Sequence, residues 1–174
     1  LKAHGSFNQL NAISVVLLCR QLGLNDQDVW SVLSKYHTAD RRQTVKFNQG
    51  VIAYDDFAHH PTAVELMLRS MKGKGRIHAI YHPATFTQRC GKLDEEAALA
   101  LSNADFSYVV LPNKHQIDIK IYKRSEILST EMNDILAVLG ENIQSGDQVV
   151  VMSAYYLKEM WDKLLELLSE KAMV

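Results

Sequence analysis

Beyond residue 60, short segments that are apolar throughout alternate with longer segments whose apolar residues recur at helical spacing. The short segments are Ile77–Tyr81, Phe106–Leu111 and Gln148–Met152. The longer segments are Pro61–Met71, Asp94–Ser102, Glu131–Ile143 and Tyr156–Leu168. Strands that are apolar on both sides must be covered on both faces, and a helix between parallel strands provides that cover. The alternation therefore predicts an α/β fold with a mostly parallel, doubly wound (Rossmann-like) sheet and helices on both faces.

Three further segments have strand character. Thr44–Phe47 and Val51–Tyr54 flank the turn sequence Asn48-Gln49-Gly50, which predicts a hairpin. Ile117–Tyr122 is a candidate for one more strand, and Lys120 within it favours a position at the edge of the sheet. Together these segments predict a sheet of about five or six strands.

The residues before Arg41 are predicted to form two helices. In the first, Asn8 is a candidate N-cap and Gly23 ends the apolar pattern. Asn25 is the predicted N-cap of the second, which ends near Tyr36. We expect this helical leader to pack outside the sheet.

Composition excludes several classes of partner. The 20 acidic and 19 basic side chains give a net charge of −1, which argues against nucleic acid and anionic membrane surfaces as partners. The longest apolar stretches, such as Ala12–Leu18, are too short to span a bilayer. Two cysteines, Cys19 and Cys90, are too few for a disulfide framework, which favours a cytoplasmic location. Since the sequence begins with Leu1 rather than Met, we expect a piece of a longer polypeptide.

The loops after the strands are where an open α/β sheet binds ligands. The loop after Tyr54 carries Asp55, Asp56, His59 and His60 immediately before a helix N-terminus. Carboxylates there can accept from ribose hydroxyls, and an imidazole beside a helix N-terminus can face a phosphate. The alternative is that the aspartates cap the turn while the histidines only pack.

The histidines do not predict a metal site. Side chains of the adjacent His59 and His60 point apart, and His78 and His82 lie four residues apart on a predicted strand. Metal-binding histidine pairs four residues apart usually lie on a helix.

Three other segments are candidates for ligand contact. Asn8 and Asn11 lie on one face of a predicted helix, where their amides can read an adenine edge. Arg41-Arg42 can bind phosphates bidentately, or can simply be surface charge. The donor-rich stretch from His82 to Arg89 is either a substrate rim or an ordinary loop.

The order of these segments resembles that of the Mur ligases, the ATP-dependent enzymes that build peptidoglycan precursors. Gly5–Ala12 resembles the family segment G-x-H-N-x-x-N-A, and Arg41-Arg42 lies where the family has an Arg-Arg pair. Asp55–Thr62 is similar to the signature of the muramate-linked branch. Three segments depart from the pattern: Phe7 replaces a histidine, Gln43 an apolar residue, and Ala154-Tyr155-Tyr156 expected glycines.

The resemblance implies that the chain contains parts of two domains and that these domains contribute differently to the reaction. Residues 1–40 would be the tail of a central ATPase domain, and residues 41–174 the Mur ligase C-terminal domain. The whole enzyme would use ATP and Mg²⁺ to phosphorylate the carboxylate of UDP-N-acetylmuramate, after which an amine attacks to form an amide. The phosphate loop and the Mg²⁺ ligands would belong to the central domain, so we expect the 174 residues alone to be inactive. No catalytic residue is assigned to them.

On the matching positions, the resemblance implies an ATP site in this chain. Asn8 and Asn11 would lie against the adenine, Arg42 at the phosphates or ribose, Asp56 at the ribose hydroxyls and His59 toward the phosphates. Arg41 and Asp55 would be their neighbours. His82, Thr87 and Arg89 would contact the amino substrate.

Two members of the branch compete for this sequence. One joins the tripeptide L-alanyl-γ-D-glutamyl-meso-diaminopimelate to UDP-N-acetylmuramate in peptidoglycan recycling, and the other adds L-alanine. Phe57-Ala58 and Val151-Met152-Ser153 resemble the tripeptide ligase, whereas Phe86–Arg89 is more similar to the alanine-adding enzyme. The tripeptide ligase is the prediction and the alanine ligase the alternative.

A hypothesis of another class is a stand-alone flavodoxin-like or receiver-like module without enzyme activity. Asp55-Asp56 are similar to the acidic residues of a receiver. A receiver has no place for the helical leader, and it has a lysine after its last main strand where this chain has Tyr155-Tyr156-Leu157-Lys158.

Overall fold

The computed structural model describes residues 5–36 and 39–172. Within these ranges the helices are α1 (Ser6–Gln21), α2 (Asp26–Lys35), α3 (Pro61–Met71), α4 (Phe86–Arg89), α5 (Asp94–Leu101), α6 (Met132–Asn142) and α7 (Lys158–Ala172). The strands are β1 (Thr44–Gln49), β2 (Val51–Asp56), β3 (Ile77–His82), β4 (Phe106–Val110), β5 (Ile127–Ser129) and β6 (Gln148–Ser153).

The strands form one six-stranded sheet in the order β1-β2-β6-β3-β4-β5. Only β1 is antiparallel, and Gly50, with φ 75°, provides the turn that joins it to β2. The remaining neighbours pair in parallel. The predicted mostly parallel sheet and its hairpin are thereby confirmed.

Helices cover both faces of the sheet, as predicted. Helices α3 and α5 pack on one face, where Val150 and Met152 of β6 point. Helices α6 and α7 pack on the other, where Val149 and Val151 point. Because side chains alternate along a strand, this one apolar run contributes to two separate cores.

The leader helices pack against each other rather than into the sheet. Val16 of α1 and Val29 of α2 are their buried residues, and neither core contains any of the described leader residues, 5–36 and 39–40. The predicted cap at Asn25 is confirmed, since its side chain accepts from the Gln27 N–H at 2.7 Å. The alternative that Asn8 is an N-cap is wrong, because α1 starts at Ser6 with Gly5 as its N-cap.

Residues 117–122 are not a strand, which corrects the prediction for that segment. The side chain of Asp118 accepts from the Lys120 N–H at 3.0 Å and closes a turn. Ile127–Ser129 takes the place beside β4 instead. A short helix, α4, also forms within the stretch from His82 to Arg89.

Strand pairing brings the carboxyl ends of the parallel strands together. Asp56 of β2 pairs with Met152 of β6, and His82 of β3 pairs with Ser153 of the same strand. The loops after β2, β3 and β6 therefore share one edge of the sheet.

Candidate functional site

A pocket of about 660 Å³ lies between the leader helices, the carboxyl end of β2 and helix α3. Four of the five residues predicted for ATP line it: Asn8, Asn11, Arg42 and Asp56. Most of the remaining lining is apolar and comes from both sides of the opening: Phe7, Ala12, Val15, Val32 and Leu33 from the leader, and Ala58, Ala63, Leu66 and Met67 from the loop and α3. The pocket thus combines apolar walls with three amide residues (Asn8, Asn11 and Gln43), a guanidinium and a carboxylate.

Asp56 is held by the backbone at the inner end of this pocket. Its Oδ1 accepts from the Ala58 N–H at 2.7 Å, and its Oδ2 accepts from the Gln43 N–H at 2.8 Å. Burial raises the pKa of this carboxyl, opposed by the two backbone N–H donors and the charge of Arg42. Asp56 therefore caps the turn, which was the alternative interpretation of this aspartate, and it also lines the pocket.

Arg41, the first arginine of the pair, makes an ion pair and backbone hydrogen bonds. Arg41 Nε lies 3.3 Å from Oδ2 of the buried Asp55. Its Nη2 donates to the carbonyls of Ser153 at 2.7 Å and Tyr155 at 3.0 Å. Arg41 therefore joins the end of β2 to the loop after β6, and the structure places neither it nor Asp55 among the pocket residues.

Arg42, in contrast, is exposed and lines the pocket. Its guanidinium lies over the Phe57 ring, 5.3 Å from the centroid. The flanking residues Arg41 and Gln43 have φ values of 58° and 54°, in the left-handed region. The Arg41 guanidinium lies 5.7 Å from the centroid of the same Phe57 ring, so the two arginines share one aromatic contact while their other contacts differ.

The two histidines after β2 also differ. His60 is the N-cap of α3, where its Nδ1 accepts from the Thr62 N–H at 3.4 Å. His59 Nδ1 lies 2.8 Å from the Phe57 carbonyl, and because a carbonyl only accepts, Nδ1 carries the proton. That tautomer leaves Nε2 as an acceptor when the ring is neutral. His59 is not among the described residues that line the pocket.

The residues predicted for the amino substrate lie at the carboxyl end of β3 and in α4. His82 Nδ1 lies 3.0 Å from Ser153 Oγ, and burial lowers the pKa of His82 to about 4, so the ring is neutral near pH 7. In α4, Thr87 is exposed and Arg89 Nε donates to the Lys114 carbonyl at 2.9 Å. The structure joins His82 to β6, and none of the three is among the described residues that line the 660 Å³ pocket.

Sequence reasoning missed a buried charged network at the opposite edge of the sheet. Asp147 accepts from Arg76 Nη2 at 2.7 Å and from His78 Nε2 at 3.0 Å. Tyr108 Oη lies 2.9 Å from His78 Nδ1. Burial lowers the pKa of His78, and a neutral ring donates to Asp147 while accepting from Tyr108. Arg76 and His78 are two residues apart, but Tyr108 and Asp147 are distant from them in sequence, so no local motif predicts the network.

Two searches of the described residues concern other kinds of site. No three histidine, cysteine, aspartate or glutamate side chains in residues 5–36 and 39–172 come together as a metal ion would require. Over the same ranges, none of the helices combines the length and apolar character of a membrane span.

Comparison with known proteins identifies relatives of this chain. Residues 40–155 match the family described as Mur ligase, glutamate ligase domain. The UDP-N-acetylmuramate--L-alanyl-gamma-D-glutamyl-meso-2,6-diaminoheptandioate ligase of Escherichia coli K12 is 28% identical over 179 residues, covering 97% of this chain and 39% of the relative. The UDP-N-acetylmuramate--L-alanine ligase of Lactococcus lactis subsp. cremoris MG1363 is 40% identical over 110 residues, covering 62% of this chain and 25% of the relative. The chain thus spans well under half the length of these relatives.

Solved structures share the fold. The UDP-N-acetylmuramate-alanine ligase MurC of Thermotoga maritima matches with a TM-score of 0.75 at 19% identity, covering 98% of this chain and 39% of that one. The MurF ligase of Thermotoga maritima, solved in complex with ADP, matches with a TM-score of 0.67 at 18% identity, covering 98% and 40%.

Proposed function

The chain belongs to the Mur ligase family as its glutamate ligase domain, and from this premise we propose that it closes over ATP and helps to bind the amino substrate in an amide-forming ligase. The relatives named above are ligases of UDP-N-acetylmuramate, which supports the same acceptor here. The stand-alone flavodoxin-like or receiver-like module is set aside, because the family match covers the sheet and its loops.

The observation that carries the proposal is the convergence of Asn8, Asn11, Arg42 and Asp56 on one pocket. They come from α1, the segment before β1 and the end of β2, which are distant in sequence. A volume of about 660 Å³ lies in the range of small-molecule sites. Apolar walls with a few converging polar groups fit a nucleotide, which has a flat base, a hydroxylated sugar and anionic phosphates.

Each polar residue of the pocket has a distinct part in this proposal. The amides of Asn8 and Asn11 read the adenine edge, and the guanidinium of Arg42 meets the negative charge of the phosphates. Asp56 accepts from the ribose hydroxyls through lone pairs that the two backbone N–H groups leave available. His59 stands toward the phosphates. When bound, MgATP supplies the phosphoryl group that activates the acceptor carboxylate.

We propose that residues 1–40 complete a neighbouring ATPase domain and that residues 41–174 form the ligase domain proper. Mg²⁺ and the phosphate chain would be held mainly by that neighbouring domain. Exposed apolar side chains on the leader, including Leu10, Leu17 and Leu22, support a further partner surface there.

For the amino substrate we propose the tripeptide L-alanyl-γ-D-glutamyl-meso-diaminopimelate. Support comes from Phe57-Ala58 and Val151-Met152-Ser153 and from the relative in Escherichia coli, which aligns over 97% of this chain. L-alanine is the alternative, supported by Phe86–Arg89 and by the relative in Lactococcus lactis. His82, Thr87 and Arg89 are the proposed contacts with this substrate.

The test is a ligase assay of the intact enzyme with UDP-N-acetylmuramate, MgATP and either the tripeptide or L-alanine, with products identified by mass. We expect the tripeptide adduct with release of ADP and phosphate. Product from L-alanine alone would establish the alternative, and no ATP-dependent product with either would contradict the proposed function. The 174-residue chain assayed alone should form neither product, because the phosphate-positioning groups lie elsewhere.

A further inference from the structure

The loops after β2 and β3 meet at a single atom, the carbonyl oxygen of His59. The hydroxyl of Tyr81 donates to it at 2.9 Å. The side-chain amide of Gln88, in α4, donates to the same oxygen. Gln88 Nε2 also donates to Tyr81 Oη at 2.9 Å. The His59 carbonyl, the phenol and the amide therefore form a closed triangle of hydrogen bonds.

The amide oxygen of Gln88 completes its own hydrogen bonding. Oε1 accepts from the Thr85 backbone N–H at 3.0 Å and from Thr85 Oγ1 at 2.7 Å. Gln88 is 2% exposed and Tyr81 is fully buried. A buried polar group with every donor and acceptor satisfied has one favourable orientation, because any other leaves a desolvated group unpaired.

This triangle stands between the two halves of the proposed site. On one side, Ala58 immediately precedes His59 and lines the nucleotide pocket together with Asp56. On the other, Gln88 lies between Thr87 and Arg89, the proposed contacts of the amino substrate. A displacement of either loop must stretch or break bonds to the His59 carbonyl.

We propose that Gln88 is a positioning residue which, through the His59 carbonyl, fixes the nucleotide loop and the amino-substrate loop relative to each other, so that binding at one site strengthens binding at the other. The identity of the two ligands rests on the proposed function. The hydrogen bonds themselves do not.

The proposal is tested by measuring the dissociation constant of the ATP analogue AMP-PNP calorimetrically on the intact ligase. UDP-N-acetylmuramate is present throughout, and the amino substrate that the ligase assay identifies is either absent or saturating. Linkage requires any such coupling to be reciprocal, and couplings between sites are commonly about 5–150-fold. For the wild type we expect the amino substrate to tighten AMP-PNP binding at least about fivefold.

Gln88→Glu is the decisive variant. The introduced carboxylate keeps the shape and can still accept from Thr85, but it cannot donate to the His59 carbonyl or to Tyr81. The affinity ratio is the AMP-PNP dissociation constant without amino substrate divided by that with saturating amino substrate. We expect this ratio to fall to less than about twofold in Gln88→Glu, below the usual range of coupling. Tyr81→Phe removes one of the two donors to the same carbonyl, should give an intermediate ratio, and serves if Gln88→Glu does not fold.

Gln148→Glu is the matched control. Gln148 is also buried, at 1% exposure, and its Nε2 donates to the Met71 carbonyl at 3.1 Å, at the amino end of β6. A merely structural role for Gln88 predicts that both glutamate variants lower the melting temperature and leave the ratio unchanged. The positioning role predicts that only Gln88→Glu loses the tightening of AMP-PNP binding by the amino substrate.

The outcomes separate this inference from the proposed function. A wild-type ligase that forms product but binds AMP-PNP equally well with and without amino substrate would overturn the inference alone. An unchanged ratio in Gln88→Glu, or in Tyr81→Phe where the former is unfolded, would do the same. A wild type that neither binds AMP-PNP nor forms product would overturn the proposed function, and the inference with it.

Discussion

Arg41 and Asp55 form an ion pair in which the carboxylate is 1% exposed and the guanidinium 20%, with 3.3 Å between Arg41 Nε and Asp55 Oδ2. Arg41 also donates to the carbonyls of Ser153 and Tyr155. The next residue, Arg42, lines the pocket, and its guanidinium lies over the Phe57 ring. Of these adjacent arginines, Arg41 joins the end of β2 to the loop after β6, whereas Arg42 faces the pocket.

Arg41→Met should therefore destabilise the chain, because it leaves a buried carboxylate without its partner. Breaking a buried pair typically costs about 3–5 kcal/mol, and the partial exposure of Arg41 favours the lower end. At about 2–4 °C per kcal/mol, the melting temperature should fall by roughly 6–12 °C. Arg42→Met is the comparison: because Arg42 is exposed, its replacement should lower the melting temperature less than Arg41→Met does, and it should raise the ATP KM of the intact ligase. A larger loss of melting temperature in Arg42→Met than in Arg41→Met, with an unchanged ATP KM in Arg42→Met, would contradict these roles.

Asp56→Asn should impair both ATP use and stability. Asp56 is only 5% exposed, and both its oxygens accept from backbone N–H groups. An amide can accept at one oxygen only, so an N–H is left unpaired at a cost of about 1–3 kcal/mol. In the intact ligase we also expect a roughly tenfold rise in ATP KM, equivalent to about 1.4 kcal/mol.

Asp94→Asn is the matched control for this prediction. Asp94 is 3% exposed and its Oδ2 accepts from the Asp118 N–H at 2.8 Å, but it is not one of the described pocket residues. Its replacement should lower the melting temperature without changing ATP KM. An Asp56→Asn enzyme with an unchanged ATP KM would show that Asp56 is only a turn cap.

Acid should destabilise the fold through His82. Burial lowers its pKa to about 4, whereas an unfolded histidine titrates near 6.5. Between these values the unfolded chain binds the additional proton, so stability is complete above about pH 6.5 and falls as the pH decreases toward 4. The slope is about 1.4 kcal/mol per pH unit for one proton. The lowered pKa of His78 acts in the same direction.

Urea unfolding between pH 7.5 and 5 measures this effect. The wild type should lose stability steadily below about pH 6.5, and His82→Gln should show a shallower dependence because one of the contributing groups is gone. Equal slopes for the two proteins would mean that His82 does not contribute.

A chain shortened to residues 41–174 should fold, because neither core contains any of the described leader residues. We expect cooperative thermal unfolding close to that of the 174-residue chain. The same shortening removes Asn8, Asn11 and one wall of the pocket, so nucleotide binding should weaken. Loss of cooperative unfolding would place the leader in the folding unit and contradict the proposed division at residue 41.

The fold was predictable to the extent that its signals are local. Apolar runs such as 148–152 and helical spacing such as that in 158–168 depend on nearby residues alone. The prediction of a strand over residues 117–122 was wrong. It depended on Ile117, Ile119 and Ile121, which alternate with polar residues as they would in a strand. In the structure, Asp94 accepts from the Asp118 N–H and a turn forms, while the apolar Ile117 remains buried at 6% exposure. Ile119, in contrast, is 54% exposed, so the alternating pattern does not correspond to one buried face.

The candidate site was likewise predictable only where its residues belong to local motifs. Asn8, Asn11, Arg42 and Asp56 were selected through motif resemblance, and the structure brings them to one pocket. The bonds that hold the surrounding loops come from pairs distant in sequence, such as Arg41 with Ser153 and Gln88 with His59. Such pairs leave no periodic or local pattern, so only the folded chain reveals them.

A structure of the intact ligase with AMP-PNP tests the central claim most directly, since it shows which residues contact each part of the nucleotide. We expect the adenine against Asn8 and Asn11, the ribose hydroxyls within hydrogen-bond distance of the Asp56 carboxylate, and Arg42 beside the phosphates. A nucleotide bound elsewhere, with Asp56 bonded only to the N–H groups of Gln43 and Ala58, would contradict it.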